Sequence, residues 1–392
     1  PRMPPSSNGS ASPCAPRSLS TRMLYRLSEL VHTWGPFRLF EYISVRAIMA
    51  GVTALLLGML FSGRLIAVLA RLRQPERSAK LMGELAKEGG KVPTMGGLII
   101  AVAMIPSVLL WARLNVLVLA SLWCLVGMGL VGLYDDWLKV RHGSSDGISA
   151  RMKLAGQGFV ALTAFGLVLL DPAYRESLCE VWLPVLNGPL WSAKSLGWPF
   201  LACLGVAAAF FVLVCVGCSN AVNLTDGLDG LAIGCVLITT TILGAVAYLA
   251  GHHEFATYLR ISYVPGAGEL AVFCSALVGG SLVFLWHNAA PAEIYMGDVG
   301  ALGLGGGLGA AACLMHQPFL LAIVGGVFVV EALSVILQVA YFKRTGGQRL
   351  FLMTPIHHHF QKKGWPATKV VARFWILSLL CGLLGLLSLK LR

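Results

Sequence analysis

The chain has 392 residues, of which 57% are hydrophobic and 12% are charged, with a mean hydropathy of +0.76 and a formal net charge of +12. Soluble globular domains are closer to ~45–50% apolar, so this composition excludes that class and indicates a polytopic membrane protein. No stretch is polar enough to form a separate soluble module, and we therefore expect no nucleic acid partner despite the positive charge.

The N-terminal segment, residues 1–22, is rich in Pro, Ser and Arg and lacks the apolar core of a signal peptide. We interpret it as a disordered extension or a remnant of cloning. Residues 23–392 then form a single transmembrane domain.

Apolar windows of roughly 20 residues, the length that crosses a bilayer, recur about ten times. The fold class expected is therefore an all-α polytopic membrane protein with about ten transmembrane helices. Prolines and glycine between residues 171 and 197 predict an outer loop with a turn or short hairpin. The windows lie near residues 45–70, 94–113, 115–134, 154–170, 198–219, 228–250, 268–286, 299–316, 318–342 and 370–389.

Loop charge predicts the orientation of these spans. Alternate threading places five connections on one side, namely 71–93, 135–153, 220–227, 287–298 and 343–369. Most lysines and arginines of the loops fall there, whereas the opposite connections carry only Arg113, Arg175, Lys194 and Arg260. By the positive-inside rule the basic side is cytoplasmic, and both termini face outward.

The first basic connection leads into Pro93-Thr94-Met95-Gly96-Gly97, where proline and glycines end one segment and start the next span. A turn alone explains the glycines. Lys87 and Lys91, just before this motif, are candidate phosphate contacts because a lysine is a mobile point charge.

The third span ends in adjacent acids, Asp135 and Asp136, followed by Lys139. Neighbouring carboxylates repel each other, so this pair needs a cation, a solvated helix end, or both. Placing them at the cytoplasmic boundary avoids most of the ~2.5–3.5 kcal/mol that a charge costs at the bilayer centre.

Two amides and two acids lie between the fifth and sixth spans, at Asn220, Asn223, Asp226 and Asp229. If the chain is helical from Asp226 onward, the two acids share one helix face. Gly227 and Gly230 would then allow close approach of a ligand or another backbone. The alternative is a helix start capped by Asn or Asp.

The seventh connection carries Asn288, Tyr295 and Asp298, and returns a further acid to the same side. Five glycines follow in the eighth span, and their spacing favours close packing of membrane helices over a dinucleotide-binding loop, since no strand precedes them.

The ninth span contains Glu331 and Gln338 inside an apolar run, where an acid is a functional candidate or bonds to a neighbouring helix. The last cytoplasmic loop holds His357, His358 and His359. Because no other Cys or His stands at ligand spacing and acids favour a hard ion, we expect these rings to contact phosphate or sugar.

Under this threading, every polar cluster reaches the cytoplasmic membrane edge. Carboxylates hold Mg²⁺ together with substrate phosphates, and the lysines and histidines take the remaining phosphate charge. No GxxxxGK[ST] loop is present, which excludes a P-loop ATPase. The pattern favours phosphoryl transfer from a soluble activated donor to a lipid acceptor.

Five motifs resemble those of the phospho-N-acetylmuramoyl-pentapeptide transferase family, within the polyprenyl-phosphate sugar-1-phosphate transferase superfamily. They are PTMGG at 93–97, YDDWLK at 134–139, NAVNLTDGLDGLA at 220–232, MGD at 296–298 and TPIHHHF at 354–360. The resemblance runs from about Met23 to the C-terminus. It implies a ten-helix catalytic domain in a bacterial inner membrane, and a homodimer.

The resemblance also implies the reaction: phospho-MurNAc-pentapeptide passes from UDP-MurNAc-pentapeptide to undecaprenyl phosphate in the bilayer, giving lipid I and UMP with Mg²⁺ as cofactor. Carried over by motif, Asp298 binds the metal, and Asp135 and Asp136 act at the lipid phosphate and metal. His357 and His358 contact the phosphate or sugar of the donor.

The substrate-binding residues follow from the same motifs, with Tyr295 at the position of the uracil-stacking aromatic. The full set is Lys87, Lys91, Thr94, Lys139, Asn220, Asn223, Asp226, Gly227, Leu228, Asp229, Asn288, Tyr295, Gln338 and His359. One position departs from the family pattern, because Gly89 stands where relatives usually carry a lysine, and Lys87 or Lys91 is the candidate substitute.

Two other functions are compatible with parts of the sequence: a sister transferase that uses UDP-N-acetylglucosamine, and a cation transporter with intramembrane acids. For the transferase, direct attack by the lipid phosphate is favoured over a covalent intermediate on Asp135. A phosphate monoester has a second pKa near ~6 and is largely ionised at neutral pH.

Overall fold

The computed structural model describes residues 35–72, 92–142, 147–184, 186, 188–191 and 199–390, so the N-terminal segment 1–22 lies outside the described residues. Within these ranges the chain is almost entirely helical, which confirms the all-α class. The helices are α1 (Ile43–Arg71), α2 (Gly97–Trp111), α3 (Val116–His142), α4 (Ala150–Leu169), α5 (Phe200–Thr225), α6 (Leu231–Ala250), α7 (His253–Leu259), α8 (Gly268–Asn288), α9 (Gly297–Leu314), α10 (Pro318–Val324), α11 (Gly326–Arg344), α12 (Ile356–Lys362) and α13 (Ala367–Ser388).

Nine of the described helices are long and apolar enough to cross a membrane, and α2 is a shorter apolar helix. These ten elements match the ten predicted windows. One window is divided: the ninth span breaks at Gly325 into α10 and α11. Two consecutive glycines, Gly325 and Gly326, stand at the break, and glycine costs about 1 kcal/mol relative to alanine in a helix.

The short hairpin predicted between residues 171 and 197 is present between α4 and α5. Strand β1 (Val181–Trp182) pairs antiparallel with β2 (Pro189–Trp191). A 3₁₀ turn, Ser177–Cys179, precedes it. Together with a 3₁₀ helix at Gly35–Glu41, these short elements are the regular structure outside the α-helices in the described part of the chain.

Helix α9 is the centre of the bundle and is buried along nearly its whole length. Its glycines face neighbouring backbones: Gly303 lies against Leu125 and Gly129 of α3, and Gly305 lies against Cys218 and Ser219 of α5. A side chain at either glycine would collide with main-chain atoms. The prediction of close helix packing is therefore confirmed.

A buried ion pair joins α1 to α8 at the end of the bundle away from the acidic motifs. The Arg46 guanidinium donates to both carboxylate oxygens of Glu269 at 2.6 Å, and one of its nitrogens also donates to the carbonyl oxygen of Trp111 at 3.1 Å. The amide of Arg113 donates to the same carboxylate at 2.9 Å. Such a pair is stable inside apolar surroundings only because its geometry satisfies most of its polar atoms.

Candidate active site

Three carboxylates meet where α3 ends and α9 begins. Asp135 and Asp136 are 1% and 4% exposed, and with Asp298 they each offer an oxygen within 4.8 Å of the others. The close approach depends on glycine, because a Cβ at Gly132 would collide with the backbone of Asp298. The predicted convergence of these acids is therefore present in the structure.

The entry to α9 needs a second glycine. Gly297 has a φ of +72°, a left-handed conformation that costs glycine little. A Cβ there would lie 2.6 Å from Asp136 Oδ2 and 2.9 Å from Thr94 Oγ1. The hydroxyl of Thr94 is thus beside the acid cluster.

Two lysines neutralise most of the cluster's charge. Lys139 Nζ lies 2.5 Å from Asp135 Oδ2 and 2.8 Å from Asp298 Oδ2. Lys153 Nζ lies 3.1 Å from Asp135 Oδ2 and 2.7 Å from Asp298 Oδ2. Sequence reasoning assigned a site role to Lys139 but counted Lys153 only as a topological charge, because a lysine at the start of a membrane span carries no further signal.

Backbone amides fix the orientation of the two α3 acids. The amide of Ile148 donates to Asp135 Oδ1 at 2.7 Å, and the amide of Val299 donates to Asp136 Oδ2 at 3.2 Å. Both oxygens of Asp135 are therefore engaged, one by an amide and the other by the lysines. Three carboxylates offering oxygen ligands suit a hard divalent cation, so the donor set fits Mg²⁺.

The segment between α5 and α6 is a turn and not the start of a helix. Asp226 is the C-cap residue of α5, and α6 begins only at Leu231. The conditional prediction that Asp226 and Asp229 share a helix face is wrong. Gly230, with a φ of +77°, follows the turn, and a left-handed glycine is a common way to change chain direction.

Hydrogen bonds join this turn to the loop before α9. The Gly230 amide donates to Asn288 Oδ1 at 3.0 Å, and Asn288 Nδ2 donates to the Ile294 carbonyl at 2.9 Å. The Ala292 amide donates to Asp229 Oδ2 at 3.1 Å. Asn288 is 3% exposed, so the structure gives its amide a bridging position between two backbone segments.

The backbone of Tyr295 hydrogen-bonds to the PTMGG motif. Its amide donates to the Pro93 carbonyl and its carbonyl accepts from the Gly96 amide, both at 2.8 Å. Its ring lies near Asp229, since burial and then this carboxylate raise the pKa of the Tyr295 hydroxyl. The backbone thus holds an aromatic side chain at the edge of the acidic turn.

Asp226 shares the electrostatic field of the cluster. Burial, followed by the charges of Asp298, Asp136 and Asp229, raises the pKa of Asp226 from 3.8 to about 7. Burial is the largest cause of this shift, and a neighbouring carboxylate adds to it only from nearby. The turn and the three clustered carboxylates therefore form one site.

The amides of α5 have different surroundings. Asn220 Nδ2 donates to Gln157 Oε1 at 2.9 Å, and Gln157 Nε2 donates to Ser219 Oγ at 3.0 Å. Asn220 is therefore part of a polar network between α4 and α5, whereas Asn223 and Leu228 are partly exposed nearer the turn. Gln157 was missed because one glutamine in an apolar span predicts only a helix contact.

The first histidine of the triplet is fully buried. His357 Nδ1 lies 3.0 Å from Glu331 Oε1, so the embedded acid of α11 pairs with the final loop. His357 Nε2 has no hydrogen-bond partner among the described residues, and a Cβ at Gly227 would collide with this ring atom. Gly227 therefore brings the acidic turn directly against His357.

The other residues of this loop have separate partners. His358 Nδ1 lies 2.7 Å from Gln361 Oε1, and burial and then His357 lower the pKa of His358. His359 Nδ1 accepts from the Leu352 amide at 3.1 Å. Gln338 Oε1 accepts from two loop amides at 3.1 and 2.9 Å, so its amide supports the loop from α11.

The structure thus brings together most of the residues that the motifs single out, while Lys87 and Lys91 lie outside the described residues. The cluster of three carboxylates, the acidic turn, the Tyr295 ring and the buried histidines surround one site. Such an arrangement can hold a cation with a phosphate-containing substrate.

The sequence is similar to known proteins over the region that contains this site. The glycosyl transferase family 4 model matches residues 118–316, which contain the acid cluster and the turn. Proteins named phospho-N-acetylmuramoyl-pentapeptide-transferase from Opitutus terrae and Dinoroseobacter shibae are 47% and 48% identical over 380 and 376 residues, each alignment covering 94% of this chain and 100% of the relative. A third, from Maridesulfovibrio salexigens, is 45% identical and covers 91% of this chain and 96% of its own length. The chain belongs to the phospho-N-acetylmuramoyl-pentapeptide transferase family.

Proposed function

We propose that this enzyme transfers phospho-MurNAc-pentapeptide from UDP-MurNAc-pentapeptide to undecaprenyl phosphate, forming lipid I and UMP. One observation supports the proposal most directly: three elements lie side by side. They are the carboxylate cluster Asp135, Asp136 and Asp298, the acidic turn at Gly227, and the buried ring of His357. In chemical terms, an acceptor phosphate oxygen bonds to the β-phosphorus of the donor. The bond from that phosphorus to the bridging oxygen breaks, and UMP leaves.

The donor side of the site is the acidic turn and Tyr295. An aromatic ring stacks on a nucleotide base, and the turn residues Asp226 to Asp229 border the same space. Thr94 and the two lysines of the cluster, Lys139 and Lys153, contact the diphosphate. The ammonium and hydroxyl groups would donate hydrogen bonds to the negatively charged phosphate oxygens.

The acceptor side needs a long apolar surface beside the acids. A groove of about 310 Å³ lies between α5, α10 and α11 and is lined almost entirely by apolar groups. Ala221 and Gly217 on its α5 wall stand about one and a half and two and a half helical turns before Asp226. A prenyl chain in this groove would present its phosphate near Asp226.

Mg²⁺ bound by Asp298, Asp135 and Asp136 would neutralise charge on the transferring phosphoryl group. Lys139 and Lys153 lie against Asp135 and Asp298, so they balance much of the negative charge of these two carboxylates and hold them in place. The protein's own part is to fix the carboxylates through Ile148 and Val299 amides and to exclude water from their apolar side.

Direct attack by the acceptor is favoured over a covalent adduct on Asp135. Both oxygens of this carboxylate are already engaged, one by the Ile148 amide and one by two lysines. A nucleophile must have a free and accessible lone pair, and the acceptor phosphate is largely ionised near neutral pH. Detection of a phospho-sugar adduct on Asp135 would reverse this preference.

We propose that the site faces the cytoplasmic side of a bacterial plasma membrane, with both termini outward. Basic side chains concentrate at the end of the bundle that holds the acids, as the positive-inside rule requires of a cytoplasmic face. Cysteine labelling from outside intact cells tests this orientation: a cysteine at Arg260 should react and a cysteine at Arg349 should not. The homodimer implied by the family remains a prediction, which mass measurement in detergent tests.

The direct test is an in vitro transfer assay. Purified protein is incubated with labelled UDP-MurNAc-pentapeptide, undecaprenyl phosphate and Mg²⁺, and we expect a lipid-soluble labelled product together with UMP. EDTA should abolish transfer, and Asp298→Asn should lower it by about 10²–10³-fold, the usual cost of removing a group that stabilises developing charge. Asp171→Asn, in the hairpin connection, is the matched control and should retain activity.

Two results would contradict the proposal. Preference for UDP-N-acetylglucosamine as donor would indicate the sister transferase. Cation flux in proteoliposomes that persists after Asp298→Asn, with no transfer activity, would indicate a transporter.

A further inference from the structure

A polar cluster formed by Ser62, His287 and Glu293 lies beside the active site and has no part in the mechanism above. His287, in the last turn of α8, places Nδ1 at 2.6 Å from Glu293 Oε2 and Nε2 at 3.0 Å from Ser62 Oγ. The Glu293 amide also donates to the His287 carbonyl at 2.8 Å. The three side chains thus connect α1, the end of α8 and the loop that leads to α9.

The order of these contacts is that of a serine, histidine and carboxylate triad, but the surroundings exclude a nucleophilic serine. Ser62 is 3% exposed and lies inside α1, and its hydroxyl also faces the carbonyl oxygen of Met59 at 3.4 Å. An acyl group cannot reach an oxygen buried between two helices. A positioning role accounts for both ring contacts without requiring access.

The segment held by this cluster carries the residues of the donor side. Glu293 is followed by Ile294, whose carbonyl accepts from Asn288, and by Tyr295, whose backbone pairs with the PTMGG motif. Ala292, just before it, donates to Asp229. Fixing Glu293 at two points, through its amide and its carboxylate, therefore restricts the path of the chain between α8 and Tyr295.

We propose that Ser62, His287 and Glu293 form a clamp that positions Tyr295 and the 289–296 loop for binding the nucleotide part of the donor. This inference rests on the proposed function for its choice of ligand, but the clamp itself is independent of it. Because the clamp touches neither the acid cluster nor the apolar groove, its loss affects donor binding and leaves the chemical step intact.

The kinetic test compares variants of the clamp in the transfer assay. His287→Ala and Glu293→Ala should each raise the KM for UDP-MurNAc-pentapeptide about tenfold, with kcat and the KM for undecaprenyl phosphate within twofold of the native values. Glu293→Gln retains an oxygen acceptor for the ring and should restore most of the donor affinity. His252→Ala, an exposed histidine next to α7, is the matched control. The double variant His287→Ala/Glu293→Ala should be no worse than His287→Ala alone, because removal of the ring already breaks both of its contacts.

A second measurement does not depend on catalysis. Amide hydrogen exchange in the 289–296 loop should accelerate in His287→Ala and in Glu293→Ala, and should remain native in Glu293→Gln and in the His252 control. UMP binding, measured calorimetrically, should weaken in parallel in the first two variants.

The outcomes separate the two proposals. Native loop exchange in His287→Ala, or a fall in kcat with an unchanged donor KM, would overturn the clamp. Faster loop exchange in a protein that binds no uridine nucleotide would support the clamp while rejecting the proposed function.

Discussion

The Lys153 ammonium lies 2.7 Å from Asp298 Oδ2, which joins the first turn of α4 to the first turn of α9. The same nitrogen donates to Asp135 at 3.1 Å. A lysine shared by two metal-ligand candidates holds their charges close together when no substrate is bound. Lys153 is therefore part of the candidate active site, in addition to being one of the charges that set the orientation of the protein in the membrane.

We expect Lys153→Ala to reduce transfer by about 10²–10³-fold, the range seen when one preorganised charge-stabilising group is removed. Lys153→Arg keeps the positive charge but spreads it over a larger, planar guanidinium group, so it should recover part of the rate. Arg151→Ala, exposed on the same helix turn, is the control and should stay within twofold of the native rate. Initial rates at saturating Mg²⁺ measure the effect, and a native rate in Lys153→Ala would contradict this role.

Gly227 allows the acidic turn to contact His357, so Gly227→Ala should displace one of them. A displacement of about 1 Å costs about 10²-fold in rate when catalytic groups are misplaced. Gly158→Ala, where a Cβ meets open space, is the control. The loss of Tm caused by Gly227→Ala should be smaller in a His357→Ala background, because the colliding ring is absent. An equal loss in both backgrounds would show that the collision is not the cause.

The raised pKa of Asp226, about 7 against an ordinary 3.8, makes stability depend on pH. Because the folded state favours the protonated acid, its contribution to stability is complete below pH 3.8 and is lost as pH rises through about 7. In EDTA, the native protein should therefore lose more Tm than Asp226→Asn between pH 5 and 8. Glu254→Gln, exposed on α7, should keep the native pH dependence.

Mg²⁺ should reduce this pH effect, because a nearby divalent cation favours the ionised carboxylate. Thermal unfolding of the native protein at pH 8, with and without Mg²⁺, checks the point. If Asp226→Asn and the native protein follow the same Tm profile, Asp226 is not coupled to the cluster.

Glu331 should be important for stability through its contact with His357. Glu331→Leu leaves His357 Nδ1 buried without an acceptor, which typically costs about 1–3 kcal/mol. Glu331→Gln keeps an oxygen at this position and should cost less. Chemical unfolding of both variants in the same detergent measures the difference, and equal losses would show that packing and not the hydrogen bond stabilises this region.

The spans and the acid motifs were predictable from sequence because both depend on the cost of charge in an apolar medium. Asp135, Asp136 and Asp298 stand where apolar windows end, and alternate threading alone places those ends on one side. The close packing around α9 was equally predictable from its glycines, since small residues let membrane helices approach each other. The broken span at Gly325 was less clear, because hydropathy does not register a local helix break.

Contacts made by single residues on distant helices were not predictable. Lys153 has the same local sequence signal whether it faces lipid headgroups or Asp298, and only the packing of α4 against α3 decides between them. His287 and Glu293 lie six residues apart, yet their pairing depends on the turn of the loop. The turn at Asp226 was misread because an Asp beside glycines is compatible with both a helix start and a chain reversal.

The ion pair between Arg46 and Glu269 has a consequence for biogenesis. Its partners are separated by 223 residues, so α1 leaves the ribosome long before α8 exists. At ~5–20 residues per second the interval is about 10–45 s. During that interval the guanidinium has no carboxylate from α8, and the free energy of an unpaired arginine in hydrocarbon is high. We therefore expect α1 to reach its final packing only after α8 has been synthesised.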